Sequence, residues 1–466
     1  MTVNFMHSPW RFQTRTADPA RRRQNRPSFR SLPAKDISRR FGNRIIEMFL
    51  AVRKKRGEQS KIMRRVTFGF AAVLTVLAGF ASHFTSFANL RIGIQQTSAQ
   101  QTPAPARFAF GGNAAEIPAE FLENLIFVPA DVNKSQPSLF VLDSTATSSS
   151  ISPARAADLG LSDLKDAILN FPGVDMPFVD LPKIDEPDFS QEVGRPYQGT
   201  LGADFFSRVV VEIDYGRQTL RFYDPAAYKY SGKGAIFPLR FDKEMPVIKA
   251  SFKLAGMKTH DEDFLVDTAL DASVLVSDRF SEAHRIFSSH VKTINASDPQ
   301  IEGGATVALG RLTDLVIGRY EIRGTVAAFV HAGANSILNN NRAGVIGGGI
   351  LRRFTVIFDY AHQQLILDPN NHFEDYEQED KSGIAVVAKG PGLLTFEVAS
   401  VQPGTPGAEA GVLKGDIIAG IDDEPAADLT LASIRALFRQ VGHKYKLLIQ
   451  RNGQSVQVTV QMRRLI

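Results

Sequence analysis

The chain repeats itself. LGADFFSRVVVEIDYGRQTLRF begins at Leu201 and IGGGILRRFTVIFDYAHQQLIL at Ile346, aligned without a gap at an offset of 145. Gly202 matches Gly347, Arg208 matches Arg353, Val211 matches Val356, Asp214 and Tyr215 match Asp359 and Tyr360, and Gln218 and Leu220 match Gln363 and Leu365. Upstream of each copy, LFVLDSTATSSSIS (139–152) and DFLVDTALDASVLVS (263–277) drive an apolar run into an aspartate, Asp143 and Asp267, at an offset of 124. The order of parts is the same in both units, and the second carries 21 more residues between them. A unit used twice limits the admissible folds more than any local propensity does.

The repeated unit is built from β-type runs. LIFVPADV, SLFVLD, VVVEID, TLRFYD, DFLVDT, TVAAFV, FTVIFDY and QLILD are short, rich in Val, Ile, Phe and Leu, and bounded by Gly, Pro, Asp or Asn, while helical spacing is sparse between 107 and 375. The expectation is a mainly β body with two lobes in tandem.

A strand that ends on Asp-Ser needs no function, since both residues cap turns. Two such strands, one per lobe, are how a pair of carboxylates is brought together across a pseudo-twofold axis. Held close, the two cannot both ionise: one keeps its proton and the other stays a base. Such a pair polarises a water against a peptide carbonyl, and hydrolysis then needs neither metal nor covalent intermediate.

VLDSTATSSSIS and LVDTALDASVLVS resemble the hydrophobic-hydrophobic-Asp-Thr/Ser-Gly-Ala-Ser segment of retropepsin-like aspartic peptidases. TLGADFF and VIGGGIL resemble that family's hydrophobic-hydrophobic-Gly strand, which crosses beneath each active-site loop. The likeness spans about residues 118–370, in the bacterial form with two lobes fused in one chain. It implies that Asp143 and Asp267 are the catalytic pair and that Ser144 and Thr268 hold the dyad by hydrogen-bonding across the lobe interface. The family's glycine after Asp-Thr is replaced by Thr145 in the first lobe and Ala269 in the second. Glycine there lets backbone approach substrate and carboxylate, so the methyl at 269 is a mild intrusion and the β-branched side chain at 145 a larger one. The family's mobile hairpin over the cleft falls on DPQIEGGATVALG (298–310), with Gly303-Gly304 at its tip, and in the first lobe on the Pro- and Asp-rich segment from about Phe171 to Gln198.

From Ser382 the pattern changes to strands around one amphipathic helix, with Leu431, Ile434, Leu437 and Phe438 on a single face and a hairpin tipped by Asn452-Gly453. PGTPGAEAGVLKGDII (403–418) and SGIAV (382–386) resemble a PDZ domain of the bacterial type. The likeness implies that Gly383, Ile384, Ala385 and Val386, with Ile434 on the helix, bind peptide C-terminal tails by strand addition, the loop N–H groups catching the terminal carboxylate.

The net charge of +5 over 466 residues conceals an asymmetry. Residues 1–65 hold 18 Lys or Arg against 4 Asp or Glu, a net of +14, which leaves the remainder at −9. Arg64 and Arg65 stand directly before an uncharged apolar stretch that starts at Val66. Basic residues before a greasy segment keep the tail cytoplasmic, and the segment suits either a spanning helix or the core of a secretory signal, with Met63 a second candidate start. Either way the remainder is exported, membrane-anchored or secreted to the periplasmic or extracellular side. That placement accounts for the basic charge without nucleic acid. The absence of cysteine removes disulfide stapling and a thiol nucleophile. The nine histidines lack metal-ligand spacing, the Gly-rich stretches lack a phosphate-loop setting, and no Gly-x-Ser-x-Gly elbow occurs, so no metal or cofactor is expected.

The expected organisation is a basic, unstructured tail (1–65), a transmembrane or signal helix (66–84), a linker (85–106), two retropepsin-like β lobes (107–232 and 233–375) and an α+β PDZ domain (381–466). The expected function is an aspartic-type endopeptidase acting on extended polypeptides, its PDZ domain binding peptide tails. The alternative is an envelope protein that binds or scaffolds peptides without cutting them. Oligomeric state is left open.

Overall fold

The computed structural model describes residues 104–185, 189–254, 256–288, 292–297, 306–330 and 342–466. The expected basic tail, the apolar segment 66–84 and most of the linker lie outside the described residues. Among the described residues no helix is long and apolar enough to cross a membrane.

The repeat becomes a shared sheet. In each copy an apolar strand turns back on itself, Val210–Asp214 onto Thr219–Tyr223 and Phe354–Asp359 onto Gln364–Pro369. The repeated residues hold these hairpins: Asp214 Oδ1 accepts from the Arg217 N–H at 2.9 Å and Asp359 Oδ1 from the His362 N–H at 3.1 Å. Gln218 and Gln363 both take left-handed φ, 55° and 53°. The two hairpins then join edge to edge. Val210–Asp214 runs antiparallel to Phe354–Asp359, pairing Val211 with Phe358, Glu212 with Ile357 and Ile213 with Val356. Adding the offset of 145 to Val211 and Ile213 gives Val356 and Phe358, so the first and last of these pairs exchange under the repeat and the axis passes at Glu212 and Ile357. Ala114–Ile117 and Ala235–Pro238 extend this sheet to six strands.

Below the pairing lies a common core. Phe206 of the first lobe stacks on Tyr360 of the second, ring centroids 5.3 Å apart, and meets Phe358 at 5.2 Å. Buried residues from Ile117 to Leu367 form one continuous apolar cluster across both lobes. Burying such aromatic rings is worth several kcal/mol each, about 3–5 by large-to-small substitution.

The C-terminal unit is a separate sheet, ordered Ile384–Lys389, Thr395–Val401, Ile417–Ile421, Lys444–Arg451 and Gln454–Gln461, over its own core. The helix Leu431–Phe438 starts where expected: Thr430 and Ser433 form a reciprocal cap, and Leu431, Ile434 and Phe438 are buried. Asn452 and Gly453 turn the last hairpin with φ of 51° and 80°. Ile384–Lys389 is an edge strand of this sheet.

Candidate active site

Each lobe threads three short strands to present its aspartate. In the first, Ser138–Leu142 enters parallel to Gly199–Leu201, and Ser150–Ile151 leaves antiparallel to the same strand. In the second, Glu262–Val266 and Val274–Val276 flank Gly344–Ile346 in the same way. The Asp143 N–H donates to the Leu201 carbonyl at 3.0 Å and the Asp267 N–H to the Ile346 carbonyl at 2.9 Å, the same bond in both copies. The glycine after the central strand makes the crossing possible: a Cβ at Gly202 would stand 2.6 Å from the Ser148 carbonyl oxygen, and one at Gly347 2.2 Å from that of Ala272. Only glycine fits beneath either loop.

The loops meet at the lobe interface. The Ser144 N–H donates to Thr268 Oγ1 at 3.0 Å and the Thr268 N–H to Ser144 Oγ at 3.2 Å. Each hydroxyl then donates to the far strand, Ser144 Oγ to the Val266 carbonyl at 2.7 Å and Thr268 Oγ1 to the Leu142 carbonyl at 2.6 Å. Both side chains are fully buried, so these four bonds form in a low dielectric and fix the loops against each other.

Asp143 and Asp267 open into one cleft of about 410 Å³, a size that suits a bound side chain or short peptide segment. Asp143 Oδ1 accepts from the Thr145 N–H (2.7 Å), the Thr145 hydroxyl (2.8 Å) and the Ala146 N–H (3.0 Å). Asp267 Oδ1 accepts from the Ala269 N–H at 2.8 Å. Burial, and then the charge of Asp143, push Asp267 up to about 8. Asp267 is the more deeply buried of the two. Under the dyad each lobe sends a tyrosine to the other's aspartate. Tyr215 is buried near Asp267, and Tyr360 lies near Asp143 and donates to the Ser144 carbonyl at 3.3 Å. Burial first, and the neighbouring aspartate second, raise both phenols, which stay neutral.

Among the described residues, the apolar wall of the cleft comes from the first lobe, with Phe127, Ile184, Phe189, Val193 and Tyr197, and the second supplies Ala269 and Leu270 beside the dyad. Sequence reasoning located the segment 171–198 but not these side chains. Their signal was an apolar or aromatic residue recurring inside an otherwise polar stretch. In the second lobe, Thr293–Ser297 and Thr306–Arg311 pair as a hairpin, and its expected Gly303-Gly304 tip lies outside the described residues.

In the C-terminal unit Ile384, Val386 and Ile434 sit together in the core, and Gly383 takes φ 72° ahead of the edge strand. Ala385 is half-buried. The N–H groups of Ser382 and Gly383 both donate to the Asp380 carboxylate, and Ser382 Oγ donates to it at 2.7 Å.

A family model described as "PDZ domain" matches residues 397–451. Of the four strands that follow Ile384–Lys389, the match takes in the first three, entering the first at residue 397, together with the helix; the loop 382–386 precedes it. Among solved structures, the chain is similar to an aspartic proteinase from Irpex lacteus (13% identity, TM-score 0.37, covering 56% of this chain and 98% of that one). It is similar also to Basic 7S globulin from soybean, at 10% identity and a TM-score of 0.36, covering 57% of this chain and 99% of that one. A likeness to a photosystem II D1 C-terminal processing protease, at 19% identity and a TM-score of 0.17, takes in 19% of this chain and 23% of that protein. No curated protein was found to match the chain.

Proposed function

We propose that this protein is an aspartic endopeptidase of the two-lobed, retropepsin-like kind, exported from the cytoplasm, and that its PDZ domain takes peptide tails. The observation that carries this reading is the convergence of Asp143 and Asp267 in one cleft, on loops that Ser144 and Thr268 bond to each other. The chemistry follows from the two protonation states. Asp143 takes a proton from a water as its oxygen attacks the scissile carbonyl carbon. Asp267 gives its proton to the carbonyl oxygen, so the tetrahedral intermediate is a neutral gem-diol. Its collapse breaks the C–N bond, with one proton passing from Asp143 to the leaving nitrogen and one returning from a hydroxyl to Asp267. Ser144 and Thr268 keep the two carboxyls in register through these transfers. The apolar wall of Phe127, Phe189, Val193 and Tyr197 favours a large apolar side chain next to the scissile bond.

A purified fragment from residue 107 should cut unfolded casein in mildly acidic buffer, at sites beside Phe, Leu or Tyr. No cleavage between about pH 3 and 8 by a fragment that is folded by circular dichroism would end the proposal.

One observation favours a second reading, a peptide-binding envelope protein without catalysis. The Thr145 hydroxyl already bonds Asp143 inside the cleft that both aspartates line, where a lytic water has to bind. Binding of unfolded polypeptide without turnover, persisting after Thr145→Gly, is its signature.

A further inference from the structure

The edge strand and helix that would receive a peptide tail are not open to solvent. The short helix Ser190–Val193 of the first lobe packs against Ile384–Lys389. Its last residue is followed by Gly194, at φ 76°, where an added Cβ would stand 2.9 Å from the Leu431 Cβ on the helix Leu431–Phe438. This segment of the chain therefore lies between the edge strand and the helix, the two elements that a strand-adding tail has to touch.

Arg435 fastens it there. Its guanidinium donates to the Glu192 carbonyl at the end of the short helix, lies 3.4 Å from the Val386 carbonyl on the edge strand, and pairs with Glu123 at 2.8 Å. Glu123 is 11% exposed, so the pair is largely shielded from water. The loop ahead of the edge strand is filled as well: the Ser382 and Gly383 N–H groups are held by the Asp380 carboxylate, and the Ile384 N–H by Ser382 Oγ at 2.9 Å. An internal carboxylate and an internal segment occupy the two halves of one recognition site.

The occupying segment also belongs to the cleft. Phe189 and Val193, which bracket the short helix, face the space around Asp143 and Asp267. A second link runs from Glu123 through its neighbour Asn124, whose side-chain amide donates to Asp271 Oδ1 at 2.6 Å, four residues after Asp267.

We infer that the PDZ groove is closed in cis by residues 189–194 and Asp380, and that an incoming peptide with an apolar C-terminal residue and a free carboxylate displaces them and so moves the Phe189 and Val193 wall of the cleft. The ligand shifts the cleft because it and the wall segment compete for the same strand edge. The consequence for cleavage rests on the function proposed above; the competition itself does not.

The test uses the fragment from residue 107, which holds every element named, and a pool of decapeptides ending in Val, Leu, Ala or Phe, offered as free acids and as C-terminal amides. Binding is read by fluorescence anisotropy and the state of residues 189–194 by amide hydrogen exchange. The acid pool should bind, the amide pool should not, and exchange at 189–194 should rise when the acid pool is bound. Arg435→Ala, which frees the segment, and Asp380→Ala, which empties the loop, should each tighten acid binding roughly tenfold. Acid binding that leaves exchange at 189–194 unchanged overturns the competition. So does a failure of the parent and both variants to bind the acid pool. If the segment is released while casein stays uncut, the switch stands and the peptidase reading falls.

Discussion

The Thr145 hydroxyl donates to Asp143 Oδ1 at 2.8 Å inside the cleft that Asp267 also lines, so it engages one acid of the pair directly. Thr145→Gly removes that bond and leaves its place to water. The expected outcome is a rise in casein turnover of roughly tenfold or more, together with a loss of about 1–2 kcal/mol in unfolding free energy from the deleted hydrogen bond and the added backbone freedom. Turnover numbers and urea midpoints on one preparation check both halves.

Asp143→Asn and Asp267→Asn should each cut turnover by roughly a thousandfold, since each removes one proton carrier. Combined, they should cost little more than either alone, because the two carboxyls act as a unit.

The raised pKa of Asp267 has a thermodynamic sign. Below the ordinary carboxylate value, near 3.8, folded and unfolded chains are both protonated at this site. As pH rises from there to about 8 the unfolded chain gives up its proton and the folded chain keeps it, so this site's contribution to stability falls across that window and levels off above it. Asp267→Asn should therefore match the parent near pH 4 and exceed it by about 2 kcal/mol or more near pH 8. Thermal melts at the two pH values read the difference directly. Cleavage by the parent should fade as pH passes about 8, where the acid of the pair is lost.

Ser144→Ala and Thr268→Ala each strand a buried N–H of the other lobe, because each hydroxyl is the acceptor for its neighbour. Each should destabilise by about 1–3 kcal/mol. The double variant should fall short of the sum, which a double-mutant cycle measures as coupling between the lobes.

Gly347→Ala sets a Cβ 2.2 Å from the Ala272 carbonyl oxygen, a backbone atom with no side-chain freedom. The loop carrying Asp267 has to move, and stability should drop by about 3 kcal/mol or more with activity lost alongside. A melting temperature unchanged from the parent would show that the loop yields freely.

The sequence made the architecture legible where a pattern recurs. The offset of 145 predicts one β unit used twice, and the strand-ending aspartates mark one position in each copy, because a duplicated unit places like residues at symmetric positions. The Leu431 face and the Asn452-Gly453 turn follow from local rules. What stayed hidden depends on contacts between distant segments. Thr145 reads from sequence as bulk at a glycine position, yet its hydroxyl is a donor aimed at Asp143. Gly383 to Val386 read as an open peptide site, yet Asp380 and residues 189–194 already cover it, and neither has a periodicity or motif to announce that role. Phe189 and Val193 sit in a Pro- and Asp-rich stretch that the resemblance assigns to a hairpin over the cleft without singling out any side chain.

The pairing of Glu212 with Ile357 on the axis has a further consequence. Two copies of the first half, meeting in the same register, would press Glu212 against its own twin, and like charges directly opposite are unfavourable. A symmetric homodimer gives its two aspartates identical surroundings; here the deeper burial of Asp267 is inherited with the sequence.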